Sequence, residues 1–148
     1  LQEQPGVGRV LARGLLALDR EEDALRELGE AKEAESLLLR ADLLASLGRK
    51  EEALAACEAA IRASPETADV VYQRRGKLLL ELGRPKEAIA AFDAALGLNP
   101  NDAALWCDAA LAWRRSGRET KAQKLLERAL AIDPTFERAL QLRDSAAT

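Results

Sequence analysis

Three kinds of side chain in this sequence could do chemistry, and each is judged by what stands near it. The thiols are Cys57 and Cys107, two lone cysteines with no CxxC spacing and no histidine anywhere in the chain. Without histidine the usual proton shuttle at neutral pH is missing, and so are the spacings that hold structural zinc. Cys107 with Asp108 beside it is the one candidate nucleophile, but an adjacent carboxylate is not a geometry that activates a thiol, and a small semi-buried core residue is the default reading. Carboxylates are plentiful. Those at Glu51, Glu87 and Glu119 stand where helices should begin, and the positive end of the helix dipole accounts for them there. A GVG at residues 6–8 has neither a preceding strand nor a lysine to make a phosphate loop. Catalysis, a metal and a cofactor are therefore not expected. The third kind is the long cation, whose guanidinium fork pairs bidentately with carboxylates. Arg74, Lys77, Arg114, Arg115 and Arg138 are the ones whose placement matters.

The chain of 148 residues has a one-domain length, and Leu and Ala dominate it. With 32% charged residues and five aromatics, this is the composition of helical repeats or coiled coils. A net charge of −3 with both signs interspersed calls for neither nucleic acid nor a membrane surface as partner. No run approaches the ~18 apolar residues of a membrane span. No signal-peptide pattern is read in the opening residues, which leaves open a targeting segment ahead of Leu1. A chain that opens at Leu1 reads as a piece of something longer, cytoplasmic, with reduced thiols, and its Leu/Ala/Arg-rich usage suggests a bacterial source.

The elements follow from apolar periodicity and its interruptions. Residues 1–8 read as a lead-in. A helix is expected over Arg9–Leu18, then a turn in which Asp19 caps the next helix, whose first turn is Glu21-Glu22-Asp23. That second helix should end near Gly29. Further helices are expected over Lys32–Leu47, Glu51–Ala63, from Asp69 to the turn at Gly83-Arg84-Pro85, on to Asn99-Pro100, over Ala103–Ser116 and Glu119–Ile132, with a last one over Phe136–Ala146. Small residues recur in register: Ala24 to Ala53 is 29 residues, Ala53 to Ala88 is 35, and Ala88 to Ala122 is 34. One extra residue is therefore placed in the Pro65–Asp69 loop. Two antiparallel helices of ~12–15 residues cannot bury their apolar stripes alone, so each pair must stack on another. The alanines mark close crossings, where a larger side chain would overpack. Gly76 takes that part within its own helix, with Ala41 and Ala110 in the neighbours. Tyr72, Trp106, Phe92 and Leu126 should fill the wider gaps of the core.

The positions Tyr72, Gly76, Leu79, Gly83, Ala88, Phe92, Ala95 and Pro100 carry the spacing of the tetratricopeptide repeat, and the chain resembles that family over 32–148, more loosely over 9–31. The resemblance implies an all-α, right-handed superhelical α-solenoid of antiparallel helix pairs. It would be a single array over 1–148: a degenerate first repeat at 9–33, repeats at 34–67, 69–102 and 103–136, and a capping helix at 137–147. It also implies a non-catalytic scaffold whose first helices line a groove for a partner peptide. On that reading the groove residues are Arg9 and Arg13, then Leu38 and Asp42, then Gln73, Arg74, Lys77 and Glu81. The last full repeat adds Cys107, Asp108, Leu111, Arg114 and Arg115, and the end helix adds Arg138. Chaperone cochaperones of this family grip a C-terminal carboxylate with five Lys, Asn and Arg side chains. The matching positions here are Leu38, Asp42, Arg74, Ala104 and Asp108, of which only Arg74 could serve, so that clamp is absent. What remains is a groove with a basic centre, suited to a peptide carrying acidic residues. The alternative is assembly: homo-oligomers formed through an array end, where Leu11, Leu15, Leu16 and Leu25 would be uncovered, or through the convex face.

Overall fold

A computed structural model describes residues 6–145. Among these the elements are helices α1 (Val7–Leu16), α2 (Glu21–Glu27), α3 (Ala34–Ser46), α4 (Lys50–Ala63), α5 (Asp69–Glu81), α6 (Pro85–Leu98), α7 (Ala103–Arg115), α8 (Glu119–Ile132) and α9 (Glu137–Ser145). They pack as sequential antiparallel pairs. The chain divides into two compact units, one running to Val71 and the other starting at Tyr72. None of the described helices is long and apolar enough to cross a membrane. The expected end of the last helix at Ala146 and most of the lead-in lie outside the described residues.

The pairs are built from one turn used four times. Gly48, Gly83 and Gly117 sit at φ +77°, +70° and +85°, and Asp19 occupies the matching place at φ 55°. Beyond each, the backbone N–H of an arginine reaches back to a carbonyl five residues earlier: Arg20 to Leu15, Arg49 to Leu44, Arg84 to Leu79 and Arg118 to Trp113, at 2.8–3.0 Å. This is the Schellman arrangement, and it satisfies carbonyls that a helix end leaves without partners. Asp19 is thus a helix terminator and not the N-cap expected of it; Arg20 holds the N-cap position. Each of the first three arginines then turns its guanidinium onto an acid three residues on: Arg20 to Asp23, Arg49 to Glu52 and Arg84 to Glu87.

Other boundaries move by one or two residues: α1 spans Val7–Leu16 against an expected Arg9–Leu18, and α3 spans Ala34–Ser46 against Lys32–Leu47. Gly8, expected in the lead-in, belongs to α1, and α1 passes close to the end of α2 there: a Cβ on Gly8 would lie 3.2 Å from the Glu27 carbonyl. The loop before α5 holds a short 3-10 turn, Pro65–Thr67, at the place of the extra residue.

The core repeats its sizes. Ala24, Ala53, Ala88 and Ala122 are fully buried at the start of the second helix of each pair, and Leu28, Cys57, Phe92 and Leu126 one turn later are buried too. Gly76 meets the bulkiest of these: a Cβ there would stand 2.6 Å from the Phe92 ring. The aromatic filling is less complete than expected. Phe92 is buried, but Tyr72 and Trp106 are half-buried. Trp106 lies on the flank of α7, its indole N–H donating to the Pro100 carbonyl at 2.8 Å and its ring under the Arg128 guanidinium.

Candidate functional site

The described side chains bring polar chemistry together most densely in the second unit, around Asp108. Gln73 and Lys77 are one turn apart on α5 and share a face, as do Asp108, Leu111 and Arg115 on α7. Arg138 stands in the first turn of α9. Asp108 is only 2% exposed. Its Oδ1 accepts from Arg138 Nη1 at 2.6 Å, its Oδ2 accepts from Gln73 Nε2 at 3.0 Å, and Lys77 Nζ lies 3.8 Å from Oδ2. A carboxylate withdrawn from water needs such partners, and two helices, α5 and α9, supply them.

Above this carboxylate opens a cleft of about 240 Å³, lined by Lys77, Leu80, Glu81, Asp108, Leu111, Arg115 and Arg138. Its cations are accessible: the Lys77 and Arg138 side chains are each 43% exposed. Arg115 donates to the Leu80 carbonyl at 3.4 Å. Leu80 and Leu111 give the cleft an apolar wall. Leu80 was not among the expected groove residues, because burial on an apolar face reads as core; the usable signal is that it lies one turn beyond Lys77 on α5.

The other expected site residues fall elsewhere. Arg114 is spent on the fold: Nε and Nη2 donate to the Glu119 carboxylate at 2.8 Å, Nη2 also to the Leu142 carbonyl at 2.9 Å, and Nη1 to Ser145 Oγ at 3.3 Å. This ties α7 to the start of α8 and the end of α9. Cys107 is completely buried. Burial pushes its thiol up to about 11; the Arg138 charge opposes the shift, and Asp108 and Asp102 add to it. It stays a thiol at neutral pH and presents no nucleophile. Arg74 is exposed on α5, one turn before Lys77, and does not line the cleft. In the first unit Arg9 contacts Glu35, Arg13 is exposed, and Leu38 and Asp42 are half-buried on α3. Arg9 lines two shallow hollows of about 200 and 410 Å³ with few cations. Among the described residues no group of three or more His, Cys, Asp or Glu could hold a metal ion.

Family models of the tetratricopeptide repeat match residues 34–67 and 74–135, together well over half the chain. No curated protein sequence matches. Among solved structures, MamA (residues 41 to the end) from Desulfovibrio magneticus RS-1 is 23% identical, with a TM-score of 0.82 over 93% of this chain and 80% of that one. YrrB, described as a TPR protein with an unusual peptide-binding site, is 17% identical, with a TM-score of 0.80 over 90% of this chain and 71% of that one. The first TPR of Spaghetti (RPAP3), bound to an HSP90 peptide, is 19% identical, with a TM-score of 0.72 over 77% of this chain and 90% of that one. At such identities the likeness is one of fold.

Proposed function

The chain belongs to the tetratricopeptide-repeat family, and from that premise we propose that it is a non-catalytic protein-interaction module that takes an acidic peptide segment of a partner protein in the cleft between α5, α7 and α9. The observation that carries this reading is the cleft's composition: three cations, Lys77, Arg115 and Arg138, beside an apolar wall of Leu80 and Leu111. A guanidinium already committed to Asp108 through one nitrogen keeps further donors for a ligand carboxylate. A flanking aliphatic side chain would cover the leucines. YrrB and RPAP3 support a peptide ligand by analogy alone. The five-residue clamp for a C-terminal carboxylate is not offered as the mode, since its positions hold Leu38, Asp42, Arg74, Ala104 and Asp108.

The test is selection of a displayed random octapeptide library on the immobilised protein. Wild type should enrich peptides rich in Asp and Glu. K77E/R115E, with an unchanged far-UV spectrum, should lose them. If the variant enriches the same acidic peptides, or wild type enriches none, the reading fails.

One observation favours assembly as a second reading. Val7, Val10 and Leu11 are 46%, 69% and 51% exposed on one face of α1, and Leu18 beyond it is 68% exposed. Uncovered apolar area of this kind marks association surfaces. Sedimentation equilibrium separates the two: a dimer lost in V10S/L11E supports assembly, whereas a monomer at all concentrations leaves the cleft alone.

A further inference from the structure

The cleft proposed for an acidic peptide has an acid at its floor, and simple electrostatics says that this acid should weaken binding. The geometry says the opposite. Asp108 is nearly inaccessible and each of its oxygens accepts a hydrogen bond from within the fold, so little of its charge is open to a ligand. Its partners come from two helices: Gln73 and Lys77 from α5 and Arg138 from α9. Lys77 and Arg138 are long, entropically costly side chains that would otherwise sample many rotamers and repel each other. A buried carboxylate between them holds both heads at one place and offsets their mutual repulsion, while their other N–H donors stay in water.

We infer that Asp108 is a positioning residue for anionic ligands: it aligns Lys77 and Arg138 as a paired carboxylate receptor at the floor of the cleft. This rests on the acidic-peptide reading of the cleft and adds the residue that makes the receptor. Affinity should therefore fall when this negative charge is removed, although the ligand is itself negative. Preorganisation of this kind raises affinity by removing the ordering cost from the binding step. Glu81, which lines the same cleft and is exposed, provides the contrast. Its charge is exposed, so it opposes an anion more directly than the buried Asp108 does.

The experiment uses the full chain and one fluorescein-labelled probe, the best-enriched acidic octapeptide from the wild-type selection, with its Asn/Gln counterpart as control. Binding is followed by fluorescence anisotropy at low and moderate salt. Asp108→Asn should weaken the acidic probe by roughly tenfold, the loss of one oriented, charge-assisted contact. Asp108→Glu should restore part of it, and Glu81→Gln should strengthen binding modestly. Because Asp108→Asn leaves buried donors without a full acceptor, a second variant guards against misfolding. Gln73→Met changes no charge, so electrostatics expects no effect, whereas a loosened Asp108 should cost several-fold. Tighter or equal binding by Asp108→Asn, with Gln73→Met unchanged, overturns the inference while leaving the acidic-peptide reading intact. A wild-type selection that yields no acidic peptide overturns that reading first, and the inference with it.

Discussion

Gly76 and Phe92 form a pair whose sizes are matched to each other. A methyl group on Gly76 would fall 2.6 Å from the Phe92 ring, closer than packed atoms approach. The equivalent positions elsewhere combine an alanine with a smaller partner, Ala41 with Cys57 and Ala110 with Leu126. Gly76→Ala alone is therefore expected to destabilise by ~1–3 kcal/mol through overpacking. Phe92→Leu alone should cost about 1–2 kcal/mol through lost packing. Combined, they reproduce the Ala/Leu pairing of α7 and α8, and urea titration should show the double variant more stable than the sum of the two losses predicts. Additive losses would mean that the ring moves aside freely. Cys107 gives a prediction in pH. Its thiol ionises at about 11 in the folded chain against an ordinary 9.0, chiefly because it is buried. Between those values the folded state holds a proton that the unfolded state has released, so this contribution is intact below pH 9 and declines as pH rises towards 11. Comparing urea midpoints at pH 8 and pH 10.5, wild type should lose more than Cys107→Ala. The same burial predicts negligible alkylation of Cys107 by iodoacetamide at pH 8 without denaturant.

Among the elements, the four-fold turn is the most informative. Three of its left-handed positions are glycine, where the absence of a Cβ removes the steric cost, and one is Asp19 at φ 55°. Gly83→Ala should therefore destabilise by about 1 kcal/mol. Asp19→Gly should stabilise by up to about 1 kcal/mol, less the extra entropy glycine brings to the unfolded chain. Thermal melts of both variants check the pair, and a stabilised Gly83→Ala would contradict the geometry. The acids beside the turns contribute differently. Hydrogen bonds from Arg49 and Arg84 hold the Glu52 and Glu87 carboxyls below their ordinary range, and Arg114 does the same for Glu119. The stabilisation they add is present above pH 4.5 and fades as pH falls through their lowered values. Being exposed, these pairs add little each.

For the molecule as a whole, the division at Val71/Tyr72 has a spectroscopic consequence. Both tryptophans, Trp106 and Trp113, lie in the second unit, so their fluorescence reports that unit, while far-UV ellipticity reports both. The first unit leaves Val7, Val10, Leu11 and Leu18 exposed and has a seven-residue α2, too short to hold as a helix without its neighbours. Repeat arrays lose all-or-none behaviour when neighbouring units differ in stability. In urea, ellipticity should begin to fall at lower concentration than fluorescence changes. Coincident curves would show that the units unfold together.

The helices and their pairing could be read from single residues, because local chemistry specifies them. Glycines mark the left-handed turns, alanines at intervals of one repeat mark close crossings, and prolines close the pairs. The receptor around Asp108 was only partly visible. Gln73, Lys77, Asp108 and Arg138 each carry a helical register that turns them towards one side, but register cannot say which of the four is buried. Nor could it separate Arg114, consumed by Glu119 and α9, from Arg115, which lines the cleft. Asp19 shows the same limit locally: an aspartate before an acidic helix start reads as a cap, yet the backbone needed a left-handed residue there. What the sequence determined alone was the periodicity, and with it the fold, since propensity, turn chemistry and apolar spacing act within one repeat. What only the tertiary structure decided was the use of each charge. An ionic partner is chosen by distances of a few ångströms between helices far apart in sequence, and those distances exist only once the helices have packed.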